Sequence, residues 1–304
     1  MVSSAHTIAV ELDLRDGRLS GLVGPNPVVR RVATGFAFLE GPVWHASTET
    51  LILSDIIGNT LYRWSSRDGV AVFRHPSNMA NGNTLDRDGR LLTCEHATSR
   101  VTRTDLSGSI EVLASHYHGK ELNSPNDIVV ASSGAIYFTD PTSGRTARYG
   151  VERPQELSFQ GVYRIDPDRA ALTLLVDDFD KPNGLCFSSD ESRLFVNDTD
   201  RAHIRVFEVA PDGTLGGGQV WAELAGRGEG VADGMKIDRD GNLYCCGPGG
   251  IHVFAPDATC LGVIGFPEKV ANFTWGGANR RTLFVTASTS LYTHDMPIPG
   301  GSER

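Results

Sequence analysis

The sequence predicts an all-β protein that folds as a single six-bladed β-propeller. A short phrase recurs six times along the 304 residues: a side chain that carries an oxygen, usually a small residue, then an apolar residue that begins a strand. The copies begin 39 to 57 residues apart, at Glu40, Asn83, Asn126, Asn183, Asp233 and Asn272. Repeats of this length are typical of propeller blades built from four strands. Because blades cannot bury their faces alone, we expect one domain over residues 1–304.

Within the copies, short apolar or alternating runs are divided by turn residues, as in antiparallel strands. The second and fifth copies both contain the sequence Asp-Arg-Asp-Gly, at residues 86–89 and 238–241. This sequence resembles the start of an EF-hand calcium loop, but the flanking residues are strand-like and Asp-Gly is a strong hairpin signal. We therefore predict hairpin turns at both positions.

Three segments lie outside the repeats. Residues 28–32 are predicted to add an outer strand to the last blade and close the ring, and the N-terminal residues 1–27 are expected to be peripheral. The tail from 297 to 304 is also expected to be peripheral and to fray. The third copy contains an insertion at about 142–160, rich in Arg, Gly, Glu and Pro. Such insertions are usually binding loops; we expect either a lid whose charged side chains contact substrate or a surface loop without a role.

The composition and the missing motifs exclude several classes of function. The formal net charge is −9, which argues against nucleic acid or an anionic membrane as a partner. Five cysteines without a C-x-x-C pair suggest free, mostly buried thiols in a reducing compartment. The N-terminus lacks a basic-then-apolar leader, so we expect a cytoplasmic protein. Nucleophile-elbow, phosphate-loop, dinucleotide and H-E-x-x-H motifs are all missing from the sequence.

If each copy opens the innermost strand of its blade, the six lead residues meet around one axis. Glu40 and Asp233 together carry two negative charges, and Asn126 and Asn183 add neutral oxygens. Carboxylate and amide oxygens select calcium, magnesium or manganese over softer metals. Asparagine also caps turns, but six oxygen-bearing residues in register favour a site for one divalent cation.

Several of these phrases resemble the SMP-30/gluconolactonase family of six-bladed propeller lactonases, and the resemblance covers roughly residues 30 to 295. They are Glu40-Gly41-Pro42-Val43-Trp44, Ser124-Pro125-Asn126-Asp127, Lys181-Pro182-Asn183-Gly184-Leu185, Asp233-Gly234-Met235 and Asp240-Gly241-Asn242-Leu243-Tyr244. The resemblance implies a calcium-type metal held by Glu40, Asn183 and Asp233, with Asn126 on the metal or the substrate. The phrase around Asn126 is closer to the bacterial gluconolactonase branch than to the animal regucalcin branch, which favours four protein ligands.

We therefore expect a metal-dependent hydrolase that opens a sugar lactone such as gluconolactone, with no oligomeric state assigned. The cation, calcium before magnesium, manganese or zinc, would polarise the lactone carbonyl, and Asp233 would act as general base towards water. Asn83, Asn272 and His96 are candidate substrate contacts beside Asn126, with structural roles as the alternative. Two other functions stay open: a non-enzymatic calcium-binding propeller, and a hydrolase of other lactones, esters or organophosphates.

Overall fold

Short strands joined by tight turns make up almost the whole chain. The computed structural model, which describes residues 6–167 and 172–301, arranges them as six blades around a central channel, which confirms the predicted propeller. The N-terminal segment supplies β1 (His6–Ala9), β2 (Leu12–Leu14), helix α1 (Arg18–Val23) and β3 (Val28–Thr34).

Blades 1 to 3 follow in chain order. Blade 1 contains β4 (Leu39–His45), β5 (Thr50–Asp55), β6 (Thr60–Ser65) and β7 (Gly69–Arg74). Blade 2 contains β8 (Ala80–Leu85), β9 (Leu91–Glu95), β10 (Arg100–Thr104) and β11 (Ile110–Ala114), and a small hairpin of β12 (His116–Tyr117) and β13 (Lys120–Glu121) follows it. Blade 3 contains β14 (Ile128–Val130), β15 (Ile136–Asp140), β16 (Gln160–Ile165) and β17 (Leu172–Phe179), with a 3₁₀ turn at Ser143–Arg145 between β15 and β16.

Blades 4 to 6 complete the ring. Blade 4 contains β18 (Pro182–Phe187), β19 (Arg193–Asp198), β20 (His203–Val209) and β21 (Leu215–Glu223). Blade 5 contains β22 (Met235–Ile237), β23 (Leu243–Gly247), β24 (Gly250–Phe254) and β25 (Cys260–Ile264), and blade 6 contains β26 (Val270–Gly276), β27 (Thr282–Ala287) and β28 (Ser290–Asp295). All strand pairs are antiparallel, and the predicted hairpin turns at 86–89 and 238–241 join β8 to β9 and β22 to β23.

The N-terminal segment closes the ring. Strand β3 pairs with β28 and so forms the fourth strand of blade 6, as predicted for residues 28–32. The preceding residues are more than peripheral: β1 extends blade 6 and β2 extends blade 5. Leu19 and Val23 of α1 are buried in the core between those two blades. This segment therefore contributes a substantial apolar surface to the seam between the last two blades.

The core consists of apolar layers between neighbouring blades. Each described cluster of buried side chains draws on two successive blades, and the clusters together span all six blade interfaces. Aromatic pairs reinforce some of these layers: Trp44 of blade 1 stacks on Phe284 of blade 6, with ring centroids 5.3 Å apart. Because each blade packs against its two neighbours, the six inner strands are held in a fixed ring.

Glycine brings the inner strands close together near the axis. Near the start of four inner strands stands a glycine at which a Cβ would lie 2.0 to 2.4 Å from an atom of the next blade. These residues are Gly41, Gly82, Gly184 and Gly234. The small residue of the repeated phrase is therefore required by close backbone approach.

The C-terminal tail is more ordered than the sequence predicts. Residues 297–301 do not fray, because Gly301 donates its N–H to the Ile237 carbonyl and Arg239 donates to that of Pro299. Residues 302–304 lie outside the described part. No helix in the described ranges is both long enough and apolar enough to cross a membrane. All five cysteines are free thiols, and four of them are buried.

Candidate metal centre and active site

The inner strands all begin at one end of the channel, so the lead side chains gather there. Five of the six blades present a side-chain oxygen at this level, and all five residues are at most 8% exposed. They are Glu40, Asn81, Asn126, Asn183 and Asp233. In blade 6 the equivalent residue is Ala271, because its carbonyl accepts from Gly234 as the Asn126 carbonyl accepts from Gly82.

The sequence pattern places the lead residue of the second repeat at Asn83, and the structure places it two residues earlier. Ala80 pairs with Glu95, at the end of β9, as Leu39 pairs with Asp55 at the end of β5. The residue that follows Ala80 is Asn81, which therefore corresponds to Glu40. Asn83 lies deeper in the channel, where its Nδ2 donates to the Gly41 carbonyl and to Ser54 Oγ, both at 2.8 Å. Its Oδ1 accepts from Thr93. Asn83 thus joins blades 1 and 2, and its amide is not available for the predicted substrate contact.

Glu40 is held from two directions. Its Oε2 accepts the Gly41 N–H at 2.8 Å and Asn272 Nδ2 at 3.0 Å. The Oδ1 of Asn272 accepts the N–H of Phe273, so both ends of that amide bind protein. Asn272 thus positions Glu40, and its substrate contact stays a prediction. The other oxygen of Glu40, Oε1, accepts no hydrogen bond from the described residues.

Asn183 and Asn126 supply amide groups beside the two acids. Asn183 Nδ2 donates to Thr199 Oγ1 at 3.1 Å, and that hydroxyl donates to the Ala232 carbonyl. These bonds orient the amide and leave Oδ1 without a protein partner in the described ranges. The Asn183 side chain also opposes the rise in the pKa of Asp233. The side chain of Asn126 makes no hydrogen bond to the described residues and is 6% exposed.

The two acids interact electrostatically. Burial raises the pKa of Glu40 to about 7, and the charge of Asp127 adds to the rise against the hydrogen bond from Gly41. Burial also raises the pKa of Asp233 well above its usual range, and the charge of Glu40 is the next cause. Two buried carboxylates that disfavour each other's ionisation are stabilised when a cation lies between them.

Aspartates clamp the turns that present three of the lead residues. At the end of the second strand of blades 1, 3 and 4, a carboxylate accepts two consecutive backbone N–H groups at 2.8 to 3.1 Å. The donors precede the lead residue by three and two positions in every case. The sets are Asp55 with Ala37 and Phe38, Asp140 with Asn123 and Ser124, and Asp198 with Asp180 and Lys181. These bonds fix the backbone from which Glu40, Asn126 and Asn183 project.

His96 lies behind the ring and does not line it. The imidazole is 1% exposed, with Nδ1 2.8 Å from the Tyr149 carbonyl and Nε2 3.1 Å from Asn81 Nδ2. Burial lowers the pKa of His96 to about 4, although the hydrogen bond to Tyr149 opposes the change. A direct substrate contact, as predicted, is not available to this ring, since both nitrogens already have protein partners.

The insertion at 142–160 is anchored to the body of the protein. Arg145 donates to the carbonyls of Asn123 and Leu122 and pairs with Glu121, which also pairs with Arg153. Tyr149 packs against Phe38 of blade 1, with ring centroids 5.3 Å apart. The segment therefore crosses blade 2 and reaches blade 1 beside the lead residues. We call residues 142–160 the cap.

A cavity of about 340 Å³ opens at the other end of the channel, where the inner strands finish. Its lining includes Trp44, Trp275 and Lys236, and none of the four predicted metal ligands. Within the described ranges, no three side chains of His, Cys, Asp or Glu form a metal-binding group. A cation at the predicted site would therefore depend on asparagine oxygens as well as on Glu40 and Asp233.

Comparison with known proteins agrees with this architecture. Residues 38–289 match the model of the SMP-30/Gluconolactonase/LRE-like region. A gluconolactonase from Zymomonas mobilis is 33% identical over 90% of this chain and 83% of its own length. A pentonolactonase from Haloferax volcanii is 26% identical over 86% of this chain and 85% of its own. The solved structure of a gluconolactonase from Xanthomonas campestris superposes with a TM-score of 0.89 at 33% identity, covering 97% of this chain and 99% of that one. The chain belongs to the SMP-30/gluconolactonase/LRE-like family.

Proposed function

We propose that this protein is a metal-dependent lactonase that hydrolyses a sugar lactone, with one divalent cation held by Glu40, Asn126, Asn183 and Asp233. The observation that carries the proposal is the buried Glu40–Asp233 pair at the end of the channel where the inner strands begin, beside the oriented amide of Asn183. The names of the Zymomonas, Haloferax and Xanthomonas relatives support a lactone as the substrate.

The donor set suits a hard cation. Two carboxylates neutralise a divalent charge, and the amide oxygens of Asn126 and Asn183 complete a set of oxygen ligands, which calcium, magnesium and manganese accept. Calcium is the favoured metal, and zinc is the least suited because no histidine or cysteine is among the four. A cation bound there would act as a Lewis acid that polarises the carbonyl of the lactone.

Asp233 is the proposed general base. Its carboxylate is buried beside Glu40 at the site, where it can accept a proton from a water that attacks the bound lactone. It takes one proton from the attacking water while the water oxygen bonds to the carbonyl carbon. The bond between that carbon and the ring oxygen then breaks, and the proton is passed to the ring oxygen to leave a hydroxy acid. Glu40 and Asn183 do not move protons; their hydrogen bonds keep their free oxygens in place.

A hydrolysis panel tests the proposal. Gluconolactone, a pentonolactone, a simple aryl ester and an organophosphate are incubated with the protein before chelation, after chelation, and after reloading with calcium, magnesium, manganese or zinc. We expect hydrolysis of the sugar lactones that chelation abolishes and calcium restores. Asp233→Ala should remove activity, whereas Asp240→Ala, which deletes an exposed aspartate of the same blade, should keep it.

The alternatives give different results in the same panel. Calcium binding without hydrolysis of any compound would contradict the lactonase proposal and favour the non-enzymatic calcium-binding propeller. Hydrolysis confined to the ester or the organophosphate would contradict a sugar lactone as substrate. Hydrolysis that survives complete removal of metal would contradict the role of the cation.

A further inference from the structure

A chain of hydrogen bonds runs from the cap to the ring of lead residues through a single imidazole. The carbonyl of Tyr149 can only accept, so Nδ1 of His96, 2.8 Å away, must carry the proton. The ring is neutral because burial lowers its pKa to about 4. Its Nε2 is then an acceptor, and Asn81 Nδ2, 3.1 Å away, is the donor. One tautomer of His96 thus fixes one orientation of the Asn81 amide.

That orientation gives Asn81 a free acceptor at the site. With Nδ2 turned to His96, Oδ1 faces away from it and accepts no hydrogen bond from the described residues. The backbone around Asn81 is fixed as well, because its carbonyl accepts from Ser54 Oγ at 2.6 Å. Asn81 stands in the ring between Glu40 and Asn126, since Gly41 abuts its carbonyl and Gly82 donates to that of Asn126.

We propose that Asn81 is a substrate-positioning residue whose Oδ1 accepts a hydroxyl group of the sugar lactone, and that the cap sets its orientation through His96. This inference rests on the proposed lactonase function and deepens it. An acceptor aimed at a hydroxyl favours polyhydroxylated lactones over unsubstituted ones, because a lactone without the hydroxyl leaves the amide oxygen unpaired.

The cap controls this contact by fixing the Tyr149 carbonyl. Around Tyr149, Gly150 donates to the Thr146 carbonyl and Val151 to that of Gly144. If the cap moved away, His96 would lose its acceptor and could shift its proton to Nε2. Two donors would then face each other, and the Asn81 amide would rotate to present Nδ2 to the substrate instead of Oδ1. Substrate recognition is thereby coupled to the position of the cap.

Two substitutions of His96 remove its two hydrogen bonds, to Asn81 and to Tyr149, one at a time. His96→Asn places an amide near the position of Nδ1, so it keeps a donor for Tyr149 and loses the acceptor for Asn81. His96→Gln places its amide near Nε2, so it keeps an acceptor for Asn81 and loses the bond to the cap. Asn81→Ala removes the recognition group itself. Hydrogen exchange of residues 144–151 reports on the cap, and calorimetry with calcium reports on the metal.

For gluconolactone we expect Asn81→Ala and His96→Asn to raise KM about 3- to 10-fold, because each variant loses one hydrogen bond to the substrate or to the group that positions it. The kcat of both variants should change less than about 3-fold. His96→Gln should keep KM within about 2-fold of the parent while the cap exchanges faster. Calcium affinity should stay at the parental value in all three variants. A fall in calcium affinity for Asn81→Ala, or a parental KM in both Asn81→Ala and His96→Asn, would overturn the proposal.

Nuclear magnetic resonance tests the same inference even if the protein hydrolyses no lactone. In protein labelled with ¹⁵N-histidine, one neutral imidazole should be protonated at Nδ1 between pH 6 and 8, and its signal should vanish in His96→Gln. In protein labelled at asparagine side chains, gluconate should shift the Asn81 amide signals of the parent but not those of His96→Asn. Asn83, whose amide is bonded within the protein, is the control and should not respond. An unresponsive Asn81 would overturn the positioning role, whereas lack of hydrolysis alone would count only against the proposed function.

Discussion

Asn272 donates its side-chain N–H to Glu40 Oε2 at 3.0 Å, and this bond joins blade 6 to blade 1 across the seam where the ring closes. The residues are 232 positions apart in the sequence, and both are buried. Because the opposite end of the Asn272 amide is held by the Phe273 N–H, the donor cannot rotate away. Closure of the propeller thus also orients one of its two paired acids.

The first prediction concerns this bond. Asn272→Ala should weaken calcium binding by about 10- to 100-fold, as is usual when a group that orients a metal ligand is removed. The cause is the loss of the donor that fixes Glu40, while the ligand itself remains. Asn279→Ala, an exposed asparagine in the turn after β26, is the control and should bind calcium as the parent does. Equal affinities for both variants would show that Glu40 needs no support from blade 6.

A second prediction concerns the aspartate clamps. Asp198→Asn should lower the free energy of unfolding by about 2 to 4 kcal/mol, since a buried carboxylate accepts the N–H groups of Asp180 and Lys181 and an amide cannot accept both equally. Asp200→Asn removes only an ion pair with Lys181, in which half of the aspartate side chain is exposed, and should cost about 0 to 1 kcal/mol. Urea denaturation of the two metal-free variants measures the difference. Similar costs would contradict the role of the clamp.

A third prediction concerns acid stability. The pKa of His96 is lowered to about 4 from 6.5 by burial, with the charge of Arg153 acting in the same direction. The unfolded chain therefore binds a proton to His96 at a higher pH than the folded protein does. The corresponding stability is fully present above pH 6.5 and is lost as the pH falls towards 4. Relative to His96→Gln, which cannot titrate, the parent should lose about 3 kcal/mol between pH 7 and 4. Parallel pH profiles of unfolding would show that His96 titrates normally.

The fold could be predicted because its signals are local. Alternating runs and Asp-Gly turns mark strands and hairpins within a few residues, and the repeated phrase gives the number of blades. The clamps were harder to recognise, because an aspartate that ends a strand looks like any turn residue until its N–H donors are known. Asp140 is such a residue: it accepts the N–H groups of Asn123 and Ser124 and so holds the turn that precedes Asn126.

Asn81 was missed because the second copy reads Asn81-Gly82-Asn83, with asparagines on one face of the same strand. The irregular pairing of β8 with β9 decides which of the two asparagines lies at the end of the channel where the inner strands begin. One signal was present: glycine follows Glu40, Asn81, Asn183 and Asp233, but not Asn83. The docking of the cap and of the tail depends on partners far away in sequence, such as Glu121 for Arg145 and Ile237 for Gly301, which no local pattern shows.

The central claim is that Asp233 and Glu40 share one divalent cation, and calcium titration by calorimetry tests it most directly. The parent and Asp240→Asn, which changes an exposed aspartate of the same blade, should each bind one calcium ion at the site with equal affinity. Asp233→Asn should bind it at least about 100-fold more weakly and stay folded, because the substitution keeps the side-chain shape and removes one of two charges. Parental affinity in Asp233→Asn, with its fold intact, would contradict the account.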